Sequence, residues 1–241
     1  MTKYEEIMEQ VRPFLQKHGF TVQFTTEYEA GPPQRLVKIC TLQHTAGHKR
    51  SSSIEHCDIA IRRFQTIKHG AQGRGVLIDL EHHLGRTRQA VGYDTLMRIL
   101  DADGVAVEEG DMVCLHTGFA DVLLGMNKNP PADILEHYGA GLEGRDPKLL
   151  QWITDSGLVA LIADNYAVEA HPATHRNGPC ATLPLHEHCI FKLGVHLGEI
   201  WHLGPLAQWL RAHQRHRFLL TAPPLRLPGA VGSPATPIAT V

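Results

Sequence analysis

Short apolar runs, each ending at a polar or turn-forming residue, recur along the chain. Those at residues 75–80, 111–116 and 158–163 are rich in aliphatic side chains, as expected of strands buried on both faces. Two earlier runs, residues 21–26 and 35–42, are separated by a Gly-Pro-Pro turn and predict a pair of strands. We expect the three aliphatic runs to be the inner strands of a sheet.

Segments with helical periodicity lie between and around these strands. The predicted helices cover residues 4–17 (kinked at Pro13), 93–100, 147–156, 183–193 and 206–213. Interleaved strands and helices predict an α/β domain with both faces of the sheet covered. The chain has 241 residues, of which 43% are hydrophobic, and no internal repeat. We therefore expect a single domain over residues 1–241, in which residues 1–30 form an N-terminal helix and arm.

Composition and charge exclude several classes of function. The net charge is −2 without a block of like charge, so nucleic acid and anionic membranes are poor partners. No apolar run reaches the roughly 18 residues of a membrane span, and the charged N-terminus does not resemble a signal peptide. The five cysteines are scattered and never form a CxxC pair, which favours a reducing compartment over disulfides or a cysteine zinc site. We expect a cytoplasmic protein.

Histidine is unusually frequent, with 17 copies. His44 and His48 are four residues apart in a polar segment that also contains His56. Imidazole nitrogens at this spacing can bind one Zn or Mn ion if the segment turns. The alternative is a polar loop whose histidines occur by chance, and the spacing alone does not favour either reading.

Two further groups are candidates for chemistry. His186 lies in a predicted helix and Glu199 follows in a Gly-Glu turn, although Pro184-Leu185-His186 could simply open that helix. Residues 164–169 (DNYAVE) follow a predicted strand, whose end is where α/β proteins carry functional groups. Asp and Asn there could equally cap the next turn. The chain lacks GxGxxG, GxxxxGK[ST] and GxSxG, so neither a nucleotide-binding loop nor a serine nucleophile elbow is supported.

Five blocks, in order, resemble the cyclase family of metal-dependent hydrolases, which includes kynurenine formamidase and isatin hydrolase. They are GRGVLIDL (73–80), EGDMVCLHTG (109–118), LQWITDSGLVALIADNYAVE (150–169), PLHEHCIFKLGVHLGE (184–199) and the C-terminal segment 218–241. The last two blocks are the most specific, and together the five cover roughly the C-terminal two thirds of the chain.

The resemblance implies an α/β fold of the swivelling β/β/α type with a mixed central sheet. It also implies hydrolysis of amides or cyclic amides with zinc or manganese, on a small-molecule substrate, by a homodimer or homotetramer. Some relatives close rings in polyketide pathways. The apolar C-terminal tail, residues 222–237, agrees with self-association and with ordered, extended chain.

The resemblance assigns metal ligands residue by residue. The family motif is His-x-Gly-Thr-His-x-Asp, followed by a later His and Glu. His44 and His48 stand at the two motif histidines, and His186 and Glu199 match the later ligands. We therefore predict that these four residues bind the metal.

The N-terminal motif departs from the family at three positions. Gly47 replaces Thr, Arg50 replaces the ligand Asp, and Ile54 stands where the catalytic His is expected, so His56 takes that role only if two residues are inserted locally. A guanidinium about 4 Å from the ion would repel it by about 4 kcal/mol at an effective dielectric of 20. Either Arg50 points away, or the metal binds weakly or is lost.

Three functions remain in competition. The first is a metal-dependent hydrolase of an amide or cyclic amide, in which His56 moves protons. The second is a cyclase or isomerase of a polyketide-like substrate. The third is a metal-free relative with a role in binding or assembly. Metal content separates the first from the third, and the choice of substrate separates the first from the second.

Overall fold

The structure, a computed structural model, describes residues 71–178, 180–225 and 232–241, together with the backbone of residues 20–28 and 36–44. The chain divides into two compact units, Met1–Asp58 and Ile59–Val241. In the first unit, β1 (Phe20–Tyr28) and β2 (Leu36–His44) pair antiparallel, which confirms the two predicted strands. The helix predicted at residues 4–17 lies outside the described residues. The single domain over 1–241 stays a prediction.

The second unit contains a six-stranded mixed sheet in the order β10-β9-β3-β5-β7-β8. Its strands are β3 (Gln72–Asp79), β5 (Met112–His116), β7 (Ala160–Ala163), β8 (His196–Gly198), β9 (Arg217–Thr221) and β10 (Ile238–Thr240). The strands β3, β5, β7 and β8 run parallel, whereas β9 is antiparallel to both of its neighbours. β4 (Gln89–Val91) and β6 (Ala140–Leu142) form a separate parallel pair.

Seven helices of the described residues connect these strands. They are α1 (Leu80–Leu84), α2 (Tyr93–Asp103), α3 (Phe119–Gly125), α4 (Ile134–His137), α5 (Pro147–Ser156), α6 (Pro184–His186) and α7 (Gly204–Ala212). α6 continues directly into a π-helical segment, Glu187–Leu193. α5 begins where the sequence predicts, because Asp146 caps the amides of Lys148 and Leu149 and Pro147 occupies the first turn.

The core lies on both faces of the sheet because successive strand residues point to opposite sides. Ile78 belongs to the cluster that includes α2 and α5, whereas Leu77 belongs to the cluster formed with α7 and Phe218. Both side chains are 1% exposed. Burying a leucine or isoleucine in this way contributes about 1.5–3 kcal/mol. The two clusters fix the sheet, and with it the positions of the strand ends.

The α/β class with a mixed central sheet is confirmed, and the three aliphatic runs are the inner strands β3, β5 and β7. The strands β4, β6 and β8 are not predicted from the sequence, because three residues are too few to show a period. Of the tail, residues 226–231 lie outside the described residues, Pro224 and Ala235 pair in an antiparallel bridge, and β10 follows directly after residue 237. Ile238 and Val241 are exposed there, and self-association stays a prediction. No helix among the described residues is long and apolar enough to cross a membrane.

Candidate functional site

Ionisable side chains collect at the carboxyl ends of the parallel strands. Asp79 and His116 are the last residues of β3 and β5, Asp164 follows β7, and Glu199 follows β8. This edge is where ligands bind in open α/β sheets. The side chains form two clusters, which differ in burial and in charge.

The first cluster, here called the His186 centre, consists of His186, Glu169 and Glu199. Nε2 of His186 lies 3.0 Å from Oε1 of Glu199, and its Nδ1 lies 2.8 Å from Oε1 of Glu169. α6 places the imidazole, and the segment after β7 supplies Glu169. One imidazole therefore contacts a carboxylate through each of its ring nitrogens.

Glu169 is fully buried and fixed by the start of α6. Its carboxylate accepts hydrogen bonds from the backbone amides of Leu185 and His186, each 3.0 Å long. Gly144 makes this approach possible, because a Cβ at that position would overlap Oε2 of Glu169 and the amide of Leu185. Glu169 thus forms a rigid support on the buried side of the imidazole.

Solvent reaches the other side of the His186 centre. The side chains of His186 and Glu199 are 23% and 35% exposed. The hydrogen bond to Glu169 raises the pKa of His186 above its ordinary value, against the effect of burial, and the contact with Glu199 acts in the same direction. Among the described side chains, neither Glu169 nor Glu199 pairs with a lysine or arginine. The centre therefore has an excess of negative charge that a cation would neutralise.

The donor set of the His186 centre fits a divalent metal. Zinc takes imidazole nitrogen at about 2.0–2.1 Å and carboxylate oxygen at about 2.0–2.2 Å, so two such ligands on a tetrahedral ion lie about 3.3 Å apart. The 3.0 Å separation of His186 Nε2 and Glu199 Oε1 is close to that value. Glu169 supplies the carboxylate partner that a ligating imidazole needs on its other nitrogen.

The second cluster, here called the His116 cluster, is more deeply buried. Nδ1 of His116 lies 2.8 Å from Oδ1 of Asp79, and its Nε2 faces Asp164 Oδ2 at 4.0 Å without a hydrogen-bond partner among the described residues. Asp164 accepts three hydrogen bonds of 2.7–2.8 Å, two from Thr117 and one from the amide of Gly118. The imidazole is therefore enclosed between two carboxylates.

Arg211 neutralises the open side of the His116 cluster. Its guanidinium donates to Asp79 at 2.7 and 2.9 Å and to Glu81 at 2.8 Å, and Arg86 also donates to Glu81, at 3.0 Å. Asp79, Glu81 and His116 have ligand atoms within 4.8 Å of one another and could hold a metal ion. Such an ion would compete with the guanidinium for the negative charge of the same two carboxylates.

Burial and charge act in opposite directions on the groups of the His116 cluster. Burial alone lowers the pKa of His116, but the hydrogen bond to Asp79 and the charge of Asp164 outweigh it, so the pKa is raised. Burial raises the pKa of Asp79, but the hydrogen bonds from His116 and Arg211 outweigh it and the pKa is lowered. For Asp164 burial is the larger effect, and its pKa is raised. His116 and Arg211 on one side and Asp79 on the other thus stabilise one another's charged forms.

The structure brings together two of the four predicted metal ligands, His186 and Glu199. His44 is the last residue of β2, in the other unit, and only its backbone is described. His48 and the predicted catalytic His56 lie outside the described residues, as does Arg50. The four-residue ligand set and the role of His56 therefore stay predictions.

Residues 164–169 combine two roles that the sequence analysis treated as alternatives. Asp164 caps backbone amides, but those of Thr117 and Gly118 after β5 rather than those of its own turn. Glu169, at the other end of the segment, contacts His186. Asp79, Glu81 and His116 are not among the site residues predicted from the sequence. The sequence did contain a signal for two of them, since His116 ends one predicted buried strand and Asp79 is the last residue but one of another, and functional groups concentrate at strand ends.

The fold and the two clusters define an α/β protein with strand-end groups that could hold a divalent ion. Residues 9–170, more than half of the chain, match the family model described as a putative cyclase. The chain therefore belongs to the cyclase family. None of the curated proteins compared with it matches.

Several solved structures share the fold. A crystal structure described as a novel cyclase has a TM-score of 0.62 and 21% identity, covering 100% of this chain and 94% of that one. Isatin hydrolase A from Labrenzia aggregata, bound to benzyl benzoate, has a TM-score of 0.52 and 11% identity, covering 97% and 99%. An isatin hydrolase bound to the product analogue thioisatinate has a TM-score of 0.52 and 13% identity, covering 100% and 99%. At these identities the likeness concerns the fold.

Proposed function

We propose that this protein is a metal-dependent hydrolase of an amide or cyclic amide. His186 and Glu199 would hold a zinc or manganese ion together with His44 and His48. The observation that carries the proposal is the chain of contacts from buried Glu169 through His186 to exposed Glu199. Membership of the cyclase family and the fold shared with isatin hydrolases support the same reaction class.

Each residue of the His186 centre has a distinct task in this proposal. Glu169, anchored by two backbone amides, accepts a hydrogen bond from Nδ1–H of His186 and so favours the neutral tautomer with its lone pair on Nε2. That lone pair points toward Glu199, on the side that solvent reaches. His186 and Glu199 thereby present one nitrogen and one anionic oxygen to the same point.

A divalent ion bound there supplies Lewis-acid chemistry, polarising a carbonyl group and making water more acidic. The protein supplies the anionic surroundings that attract the ion and a rigid support that keeps the imidazole from rotating. His56 is proposed to move protons between water and the leaving nitrogen. Because neither Glu169 nor Glu199 is paired with a described lysine or arginine, ion binding there displaces a proton from Nε2 of His186 and no described guanidinium or ammonium group.

The test combines metal content with hydrolysis. The purified protein is loaded with zinc or manganese, its metal is measured by elemental analysis, and isatin and N-formylkynurenine are offered as substrates. We expect about one ion per chain and turnover of at least one substrate, both lost in His186→Ala. A matched control is His175→Ala, since His175 is exposed and contacts only Asn177 among the described residues.

Other outcomes would select the competing functions. A metal-loaded protein that leaves both amides intact but closes a ring in an aromatic polyketide intermediate would be a cyclase. A protein that takes up no metal would be a binding or assembly protein. Arg50→Asp should strengthen metal binding if Arg50 lies near the ion, because it removes a repelling charge and adds an anionic oxygen.

A further inference from the structure

The backbone is left-handed beside both carboxylates of the His186 centre. Ala167 and Val168, with φ of 75° and 61°, directly precede Glu169, and Ile200, with φ of 55°, directly follows Glu199. Positive φ is uncommon outside glycine and exceptional for β-branched residues such as valine and isoleucine. Such geometry persists only where the surrounding structure holds it. Something must therefore hold both segments.

Asn165 contacts both segments. Its Oδ1 accepts a 2.9 Å hydrogen bond from the amide of Val168, and its main-chain carbonyl accepts a 3.0 Å bond from the amide of Ile200. The backbone amides of Val168, just before Glu169, and of Ile200, just after Glu199, therefore both donate hydrogen bonds to Asn165. Asn165 is only 5% exposed, and it lies directly after Asp164 at the end of β7.

The side-chain amide of Asn165 is itself anchored. Its Nδ2 donates a 2.7 Å hydrogen bond to the carbonyl of Ala140, the first residue of β6. At the other end of β6, Leu142 receives a 2.8 Å bond from the amide of Ala170 and donates a 3.1 Å bond to Val168. β6 and Asn165 thus hold the Glu169 segment from both sides.

We propose that Asn165 is a positioning residue for the His186 centre, which keeps Glu169 and Glu199 aligned on the two nitrogens of one imidazole. Every hydrogen bond described for Asn165 goes to the backbone and none goes to His186. It therefore acts on the imidazole through the positions of Glu169 and Glu199. Its effect on metal binding rests on the proposed function, whereas its effect on the geometry of His186 does not.

Two sets of variants test this proposal. Asn165→Ala removes the acceptor for Val168, and its control is Asn129→Ala in an exposed turn. At position 200, Ile200→Gly keeps the amide and adopts positive φ freely, whereas Ile200→Pro removes the amide and fixes φ near −65°. The matched control is position 214, because Gln214 also has positive φ, 52°, and its amide also donates to a backbone carbonyl.

Two measurements are made on each folded variant. The first is zinc affinity by calorimetry, and the second is the Nδ1 proton resonance of His186 in the metal-free protein, assigned by its loss in His186→Ala. We expect Asn165→Ala and Ile200→Pro to weaken zinc binding about tenfold or more. Asn165→Ala should also shift or broaden the resonance. Ile200→Gly, Asn129→Ala and both Gln214 variants should bind zinc within twofold of the wild-type protein.

The outcomes separate this proposal from the proposed function. A folded Asn165→Ala with unchanged zinc affinity and an unchanged resonance would overturn the positioning role, as would equal zinc affinities for Ile200→Gly and Ile200→Pro. If the wild-type protein binds no zinc but Asn165→Ala alters the resonance, the hydrolase proposal fails and the positioning role stands. If Asn165→Ala does not fold, the pair of variants at position 200 decides.

Discussion

The His186 centre and the His116 cluster have the same components and opposite character. Each places an imidazole between two carboxylates near strand ends of one sheet. In the His186 centre the side chains of His186 and Glu199 are partly exposed, and no described lysine or arginine pairs with either carboxylate. In the His116 cluster the histidine side chain is 3% exposed, and Arg211 bridges Asp79 and Glu81.

Proximity of ligand atoms alone therefore does not decide which cluster would hold a metal. Asp79, Glu81 and His116 satisfy a distance criterion for metal binding, yet a guanidinium already compensates their charge. An ion entering there would be repelled by Arg211 and would compete with its charge-assisted hydrogen bonds to both carboxylates. Charge balance and access favour the His186 centre.

The largest effect expected is the loss of metal binding in His186→Ala, by more than about 100-fold, because it removes a proposed direct ligand. Glu81→Gln, which removes one potential ligand from the His116 cluster and keeps its shape, should leave the affinity within twofold. Calorimetric titration of both proteins with zinc checks this. The reverse pattern would assign the ion to the His116 cluster.

Gly144→Ala is expected to reduce metal affinity about 10- to 100-fold. The added methyl group would overlap the carboxylate of Glu169 and push it away from Nδ1 of His186. Gly125→Ala is the control, because nothing lies within 4 Å of the Cβ it adds. Zinc titration and thermal unfolding are measured for both variants. Equal zinc affinities would show that Glu169 does not support the centre.

Arg211→Ala should make the His116 cluster resemble the His186 centre, because it removes the arginine that pairs with its carboxylates. Removing the guanidinium leaves Asp79 paired with His116 alone among the described cationic groups and should cost about 1–3 kcal/mol of unfolding free energy, measured by urea denaturation without metal. The oxygens of Asp79 and Glu81 that Arg211 releases should then accept a second divalent ion, detected as a second equivalent in a manganese titration. Unchanged stability together with unchanged stoichiometry would contradict the role given to Arg211.

The smallest effect expected is a pH dependence of stability from His116. Its pKa is raised above 6.5, so the folded state holds this proton more tightly than the unfolded state. The stabilisation that protonated His116 contributes is complete below pH 6.5, the ordinary pKa of histidine, and is lost as the pH rises through the raised pKa of the folded state. His186 acts in the same direction. Stability should therefore fall from pH 6 to pH 9, less steeply in His116→Gln, with His175→Gln as the control.

Much of the fold could be predicted because it depends on local patterns. Aliphatic runs identified β3, β5 and β7, and Asp146-Pro147 marked the start of α5, since capping and strand burial are visible in adjacent residues. Short elements such as β6 and β8 were missed. Their three residues pair through contacts with distant parts of the chain and leave no period in the sequence.

The candidate site, like the fold, could be predicted from the sequence only in part. The sequence by itself determined the family resemblance, the α/β class and the choice of His186 and Glu199 as partners, because these depend on ordered motifs. Only the tertiary structure decided that Glu169 supports His186, that Asn165 holds both carboxylate segments, and that Arg211 bridges Asp79 and Glu81. The last contact joins residues 130 or more positions apart, and such pairs are set by the packing of helices on the sheet.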